Sequence, residues 1–347
     1  MNRKDFIQNI GALSAGMALP ADKNWQSKND TAHLLDAGDG FKKPPYLKQG
    51  DIIGITSPAG AITLEEMRPA IAVMESWGYR CQIGNSIGKK DFTYGGKDEE
   101  RRVDLQQMLD DENIAAIMCA RGGYGSVRIV DGIDWSGFKK NPKWLIGFSD
   151  ITVLLNHIHT HCHTAAIHSK MTNSFPDDWA TAEPIQIETI LSIKDALEGR
   201  KTIYGAMPNP QNKLGTGEGI LVGGNLRTME NLSGTPSDIT TDGKILFVED
   251  TGEYFYSIDR MFWNLKRTGK LKNLKGLVIG GFKVKQDVDE EPFGKTVQEI
   301  VLEKVASYNY PVCFDFPVGH QRANFALKCG VKHRLQVENE KAVLIEI

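Results

Sequence analysis

Three polar residues follow directly on strongly apolar runs and are of the types that acyl-transfer chemistry needs: Ser126, Glu249 and His320. A serine hydroxyl attacks a carbonyl only when a base takes its proton. The imidazole that does so needs a carboxylate to orient it and to stabilise its cation. Here the residues arrive in the order serine, acid, histidine, although spacing alone does not bring them together. Ser126 closes the stretch Ala116-Ile-Met-Cys-Ala-Arg-Gly-Gly-Tyr-Gly-Ser126, an apolar run that enters a turn with three glycines and passes into the next helix. At such a bend a hydroxyl can be pushed out of the fold beside the free N–H groups of a helix start. The plainer reading is a Gly-rich turn with a serine cap. For the acid, Glu249, Asp250 and Glu253 lie within five residues. Glu249, first after its apolar run, is favoured by position over Glu253 in the loop-like Thr251-Gly-Glu-Tyr254.

Other constellations compete. Gly84-Asn-Ser86-Ile-Gly88 matches the G-x-S-x-G spacing of a nucleophile elbow, but the polar Lys89-Lys-Asp91 follows where a helix is required. Gly147-Phe-Ser149-Asp150 precedes a helix and could supply a nucleophile, although Ser149 and Asp150 better fit the ordinary role of N-cap residues. His157, His159, His161 and His163, with Cys162, resemble a metal cluster. On a helix only pairs four apart share a face, and neither such pair has H-E-x-x-H character, so a solvated helix end is expected and no metal. Gly122-Gly-Tyr-Gly-Ser126 lacks both the Gly-Lys-Ser/Thr ending of a phosphate loop and the register of a dinucleotide site.

The elements that must hold these residues alternate. Strands are predicted at 51–57, 79–83, 113–119 and 143–148. Between and after them come helices from the capping box Thr63-Leu-Glu-Glu66 to about Gly78, over 98–109, and from Ser149 to about His161. Such alternation predicts a doubly wound parallel sheet with functional groups in the loops after the strands. Residues 173–216, rich in proline and polar side chains, read as an inter-domain connection with one helix near 185–197. A second, smaller α/β unit is expected over 217–347. Its strands are predicted at 219–225, 244–248, 277–282 and 312–316, its helices at 226–232, 256–266 and 296–306, and a closing hairpin at 334–347.

Composition sets outer limits. The 347 residues suffice for two domains; 41% hydrophobic and 24% charged residues are those of a soluble globular chain. A formal charge of −3 carries no footprint for nucleic acid, and no apolar run beyond the N-terminus is long enough to span a membrane. Cys81, Cys119, Cys162, Cys313 and Cys329 are scattered, which argues against a disulfide framework or a structural zinc. Residues 1–21 have a basic start, a short apolar stretch and small residues near Ala18 to Ala21, the pattern of an export signal, and Arg3-Lys-Asp-Phe6 resembles a twin-arginine motif with one lysine. Residues 22–46 read as a linker, so the N-terminal α/β domain is expected over 47–172. A periplasmic or otherwise exported location follows, with the cytoplasm as the alternative.

Taken in order, the motifs Ile53-Gly-Ile-Thr-Ser-Pro-Ala59, Arg101-Arg-Val-Asp-Leu105, Ala120-Arg-Gly-Gly-Tyr-Gly-Ser126, Ile146-Gly-Phe-Ser-Asp-Ile-Thr152, Gly223-Gly-Asn-Leu226, Phe247-Val-Glu-Asp250, Tyr256-Ser-Ile-Asp-Arg260 and Gly319-His320 resemble the LD-carboxypeptidase family of serine peptidases, over about residues 47–347. This family includes murein tetrapeptide carboxypeptidases and microcin C immunity hydrolases. The resemblance implies a two-domain α/β architecture with the site in the inter-domain cleft, no metal, no organic cofactor, and often a homodimer. It assigns Ser126 as nucleophile, Glu249 as acid and His320 as base, with the N–H groups of Gly123 and Val127 expected to meet the oxyanion. The implied reaction removes the terminal D-Ala of a murein peptide by cleaving an L-to-D amide. The alternatives are another amide, such as a microcin-type peptidyl-adenylate, or a non-catalytic murein-peptide-binding protein. Relatives commonly read His-Gly-Pro where this chain has His168-Ser-Lys170.

Overall fold

The computed structural model describes residues 41–286 and 292–347; the export-signal expectation falls on residues outside these. Strand β1 (Ile52–Thr56) is followed by α1 (Leu64–Ser76), β2 (Arg80–Ile83), α2 (Asp98–Asp110) and β3 (Ile114–Cys119). The capping box at Thr63 forms: its hydroxyl accepts from the Glu66 N–H, and the Glu66 carboxylate accepts from the Thr63 N–H. Next come the short α3 (Ser136–Lys140), β4 (Trp144–Gly147), α4 (Thr152–Cys162) and β5 (Ala166–His168). Strands β1 to β5 are parallel, in the spatial order β2-β1-β3-β4-β5. The direction of winding reverses between β1 and β3, and a crevice opens beyond the carboxyl ends of such strands.

The second layer begins earlier in the chain than its residue pattern suggests. After α5 (Pro184–Leu197), β6 (Ile203–Ala206) lies within the stretch read as a connection, yet it closes the edge of the second sheet. It is followed by β7 (Gly215–Asn225), α6 (Leu226–Leu232), β8 (Ile245–Glu253), α7 (Phe255–Arg267), β9 (Gly276–Val284), α8 (Val297–Val305) and β10 (Val312–Cys313). Strand β11 (Leu327–Cys329) returns to the first sheet, antiparallel to β5, and β12 (Lys332–Val337) and β13 (Ala342–Glu346) pair antiparallel beside β7. The second sheet runs β10-β9-β8-β7-β12-β13-β6, parallel from β7 to β10.

The fold is therefore two-domain α/β, with a parallel N-terminal sheet. Each sheet buries side chains on both faces, and this is why β3, β4 and the first part of β8 read as continuous apolar runs rather than alternations. The helix expected directly after Ser126 is absent: two short 3-10 turns, Ser126–Arg128 and Val130–Gly132, occupy that place. All five cysteines are free, four of them buried. Among the described residues no helix is long and apolar enough to cross a membrane.

Candidate active site

Strand β4 ends at Gly147, and two residues later the backbone of Ser149 takes φ 63°, a left-handed conformation that non-glycine residues rarely adopt. This tight turn delivers the chain into a 3-10 turn, Ser149–Ile151, and then into α4. Backbone strain of this kind, at a serine between a strand and a helix, is the geometry of a nucleophile elbow. Ser149 is partly exposed. Its hydroxyl lies 3.1 Å from His320 Nε2.

His320 comes from the other sheet, after β10, where Gly281 and Gly319 form a bridge. Its Nδ1 is 2.6 Å from Glu249 Oε2, and its backbone N–H donates to the same oxygen at 3.1 Å. A carboxylate oxygen facing an N–H acts only as acceptor, so Nδ1 carries the proton and Nε2 presents its lone pair to Ser149. Glu249 is fully buried on β8. Gly319 permits this approach. Its φ is 102°, and a Cβ there would stand 2.5 Å from both Cβ and Oε2 of Glu249. The Phe148 ring, 4.9 Å from the imidazole, covers one side of it.

Two of the three expected residues thus meet, and the third does not join them. Both ring nitrogens of His320 are engaged, by Glu249 and Ser149, and Ser126 is bonded to neither. Ser126 is 0% exposed, and its Oγ has no hydrogen-bond partner among the described residues. The turn, in which Gly125 has φ 137°, buries the serine instead of pushing its hydroxyl outward as expected. The Ser126 N–H donates to Asp150 Oδ2 at 2.8 Å, so Ser126 braces the Gly-rich loop against the elbow. Burial pushes the Asp150 carboxyl up, and the Ser126 N–H opposes that shift. The side chain of Val127, on the same turn, packs against the apolar core.

The Gly-rich loop still borders the site through a different residue. A Cβ on Gly122 would lie 3.0 Å from the Ser149 Cβ and 3.2 Å from its Oγ, so only glycine lets the backbone run this close. Behind the site His168 is buried between the Phe148 and Phe247 rings, and burial lowers its pKa to about 4, so it stays neutral. Ser86 is fully buried and donates to Asp104, a structural role. Among the described residues no group of three or more His, Cys, Asp or Glu side chains could hold a metal. His157 stacks flat on His161 with ring centroids 4.1 Å apart and bonds Ser237 through Nδ1. His157 and His159 are buried, not at a solvated helix end as expected.

A strained serine at a strand–helix turn, an imidazole and a buried carboxylate, drawn from two α/β sheets, define a class of hydrolase-like sites. The chain belongs to the LD-carboxypeptidase family: the model of its N-terminal domain matches residues 53–169 and that of its C-terminal domain residues 218–335. It is 33% identical to the probable murein peptide carboxypeptidase of Bacillus subtilis, over 87% of this chain and 94% of that one. The fold matches the crystal structure of muramoyltetrapeptide carboxypeptidase from Oxalobacter formigenes with a TM-score of 0.75 and 26% identity, covering 85% of this chain and 99% of the other. It is also 23% identical to the microcin C7 self-immunity protein MccF of Escherichia coli, over 86% of this chain and 94% of that one.

Proposed function

We propose that this carboxypeptidase-family chain releases the terminal D-Ala of murein tetrapeptides by a serine mechanism with Ser149 as nucleophile, His320 as base and Glu249 as its orienting acid. The observation that carries this reading is the continuous contact from Glu249 Oε2 through His320 to Ser149 Oγ, at 2.6 and 3.1 Å. In this scheme Nε2 takes the hydroxyl proton as Oγ bonds to the carbonyl carbon of the residue before D-Ala. The oxyanion is met by the N–H of Asp150, the residue after the nucleophile, and by N–H groups of the Gly122–Gly123 turn. Asp150 replaces Val127 in that role because Ser149 replaces Ser126. The C–N bond then breaks as Nε2 returns its proton to the leaving amine. Water, deprotonated in turn by Nε2, attacks the acyl carbon and frees Ser149.

The test is release of D-Ala from L-Ala-γ-D-Glu-diaminopimelate-D-Ala. Turnover by the wild type and its loss in Ser149→Ala are expected; undiminished release by that variant would refute the serine mechanism. Turnover of a peptidyl-adenylate but not of the tetrapeptide would instead select the microcin-type reaction, and tight binding of the tetrapeptide without cleavage a binding protein. Export is part of the proposal, on the strength of the basic and then apolar residues 1–21. N-terminal sequencing of the native protein beginning near Asp22 supports export, and an intact Met1 or Asn2 counts against it. A homodimer is proposed on the family resemblance and is read by sedimentation.

A further inference from the structure

His320 lines one side of a cavity of about 260 Å³ whose other walls include Phe148, Ile190, Lys170, Lys283 and Arg322. Three cations, Lys170, Lys283 and Arg322, border this one small space. Arg322 already has a partner, the Glu183 carboxylate. Lys170 and Lys283 form no ion pair among the described residues. The Lys170 ammonium is fixed in place: it donates to the carbonyl oxygen of Gln321 at 2.7 Å and lies 5.9 Å from the Phe148 ring centroid. These two anchors are the neighbours in sequence of His320 and Ser149. One of three N–H bonds is used in that contact, which leaves donors for a ligand.

The placement beside His320 limits which anion fits. His320 is the group that would hand a proton to the leaving amine, so the space on its open side receives the leaving residue. In a carboxypeptidase that residue ends in a carboxylate, one residue or about 3.8 Å along the chain from the acyl unit. The cavity is smaller than the roughly 300–1,000 Å³ of sites for larger ligands, and Phe148 and Ile190 offer apolar wall to a methyl group. We infer that Lys170, assisted by Lys283, binds the terminal carboxylate of the substrate and so makes the enzyme a carboxypeptidase rather than an endopeptidase. This inference rests on the proposed peptidase reading, and it assigns to Lys170 a role that the serine, histidine and glutamate do not cover.

Burial, followed by repulsion from Lys283, lowers the Lys170 pKa to about 8, while Glu249 acts in the opposite direction. The charge is thus held at a cost that a bound carboxylate would relieve. His320, Lys283, Arg322 and Glu249 are the charged or titratable groups facing Lys170 from the surrounding elements.

The experiment is equilibrium binding to the Ser149→Ala protein of two peptides, L-Ala-γ-D-Glu-diaminopimelate-D-Ala and the same peptide ending in D-alaninamide. A charge-assisted bond predicts that the free acid binds about 10- to 100-fold more tightly. Adding Lys170→Gln should reduce that ratio to within about threefold, and Lys170→Arg should restore most of it. An unchanged ratio in Lys170→Gln, or no preference in the Ser149→Ala protein, would overturn the inference while leaving the peptidase reading intact. Failure to bind either peptide would overturn the inference together with its murein substrate; failure of D-Ala release despite acid-selective binding would overturn only the peptidase reading.

Discussion

Glu249→Gln changes one charge and almost no volume, and so isolates the electrostatic part of the mechanism. The Glu249 carboxylate is fully buried, and its Oε2 holds both the Nδ1 and the backbone N–H of His320. A glutamine can keep those two bonds with its carbonyl oxygen. What it cannot supply is the negative charge opposite the imidazolium that forms as Ser149 loses its proton. Two unit charges about 4 Å apart interact by about 4 kcal/mol at an effective dielectric constant near 20. In the proposed mechanism that interaction develops as the imidazolium forms on the way to the transition state, so its loss should fall on kcat. The expected drop is roughly 10³-fold, with KM changed by less than about threefold. Steady-state D-Ala release, coupled to a D-amino-acid oxidase, reads both parameters, and a melting curve within a few degrees of wild type confirms that the variant is folded. A fall in kcat below about tenfold, or one matched by an equal rise in KM, would refute the charge argument.

Gly319→Ala places a Cβ 2.5 Å from Glu249 at a backbone φ of 102°, so kcat should fall by about 10²-fold or more through displacement of the carboxylate, as kinetics on the folded variant would show. Asp150→Ala leaves the buried Ser126 N–H without its acceptor and should cost about 1–3 kcal/mol, visible as a lower midpoint in urea unfolding. Because the Lys170 pKa is lowered to about 8, its positive charge is present below that pH and lost above it. KM for the free-acid peptide should therefore rise through pH 8, and the rise should vanish in Lys170→Arg, whose guanidinium keeps its charge.

Much of the fold was readable because buried parallel strands leave long apolar runs: Ile114–Cys119, Trp144–Gly147 and Ile245–Val248 each stand out against polar neighbours. Strands β5, β6 and β11 did not, since each is three or four residues long and holds no more than two consecutive apolar residues. Pairing such as β11 with β5 joins residues far apart in sequence, which no local signal encodes. Glu249 and His320 stood out as polar residues following apolar runs, although β8 continues past Glu249 to Glu253 and β10 ends well before His320. For Ser126, three glycines announce a turn but not the direction in which the next side chain points, and in the structure that side chain is buried. Ser149 carried a usable signal in Gly147-Phe-Ser149, half of an elbow motif set between a strand and a helix. A serine before a helix fits both this role and that of an N-cap, and serine carries no signature of the left-handed φ that separates them.

The central claim is that Ser149, not Ser126, is the nucleophile, and the most direct measurement is the site of covalent modification by a serine-reactive phosphonofluoridate, mapped by peptide mass spectrometry. The label should sit on Ser149, disappear in Ser149→Ala and in His320→Ala, and persist in Ser126→Ala. A label on Ser126, or one that survives Ser149→Ala on the intact protein, would contradict it.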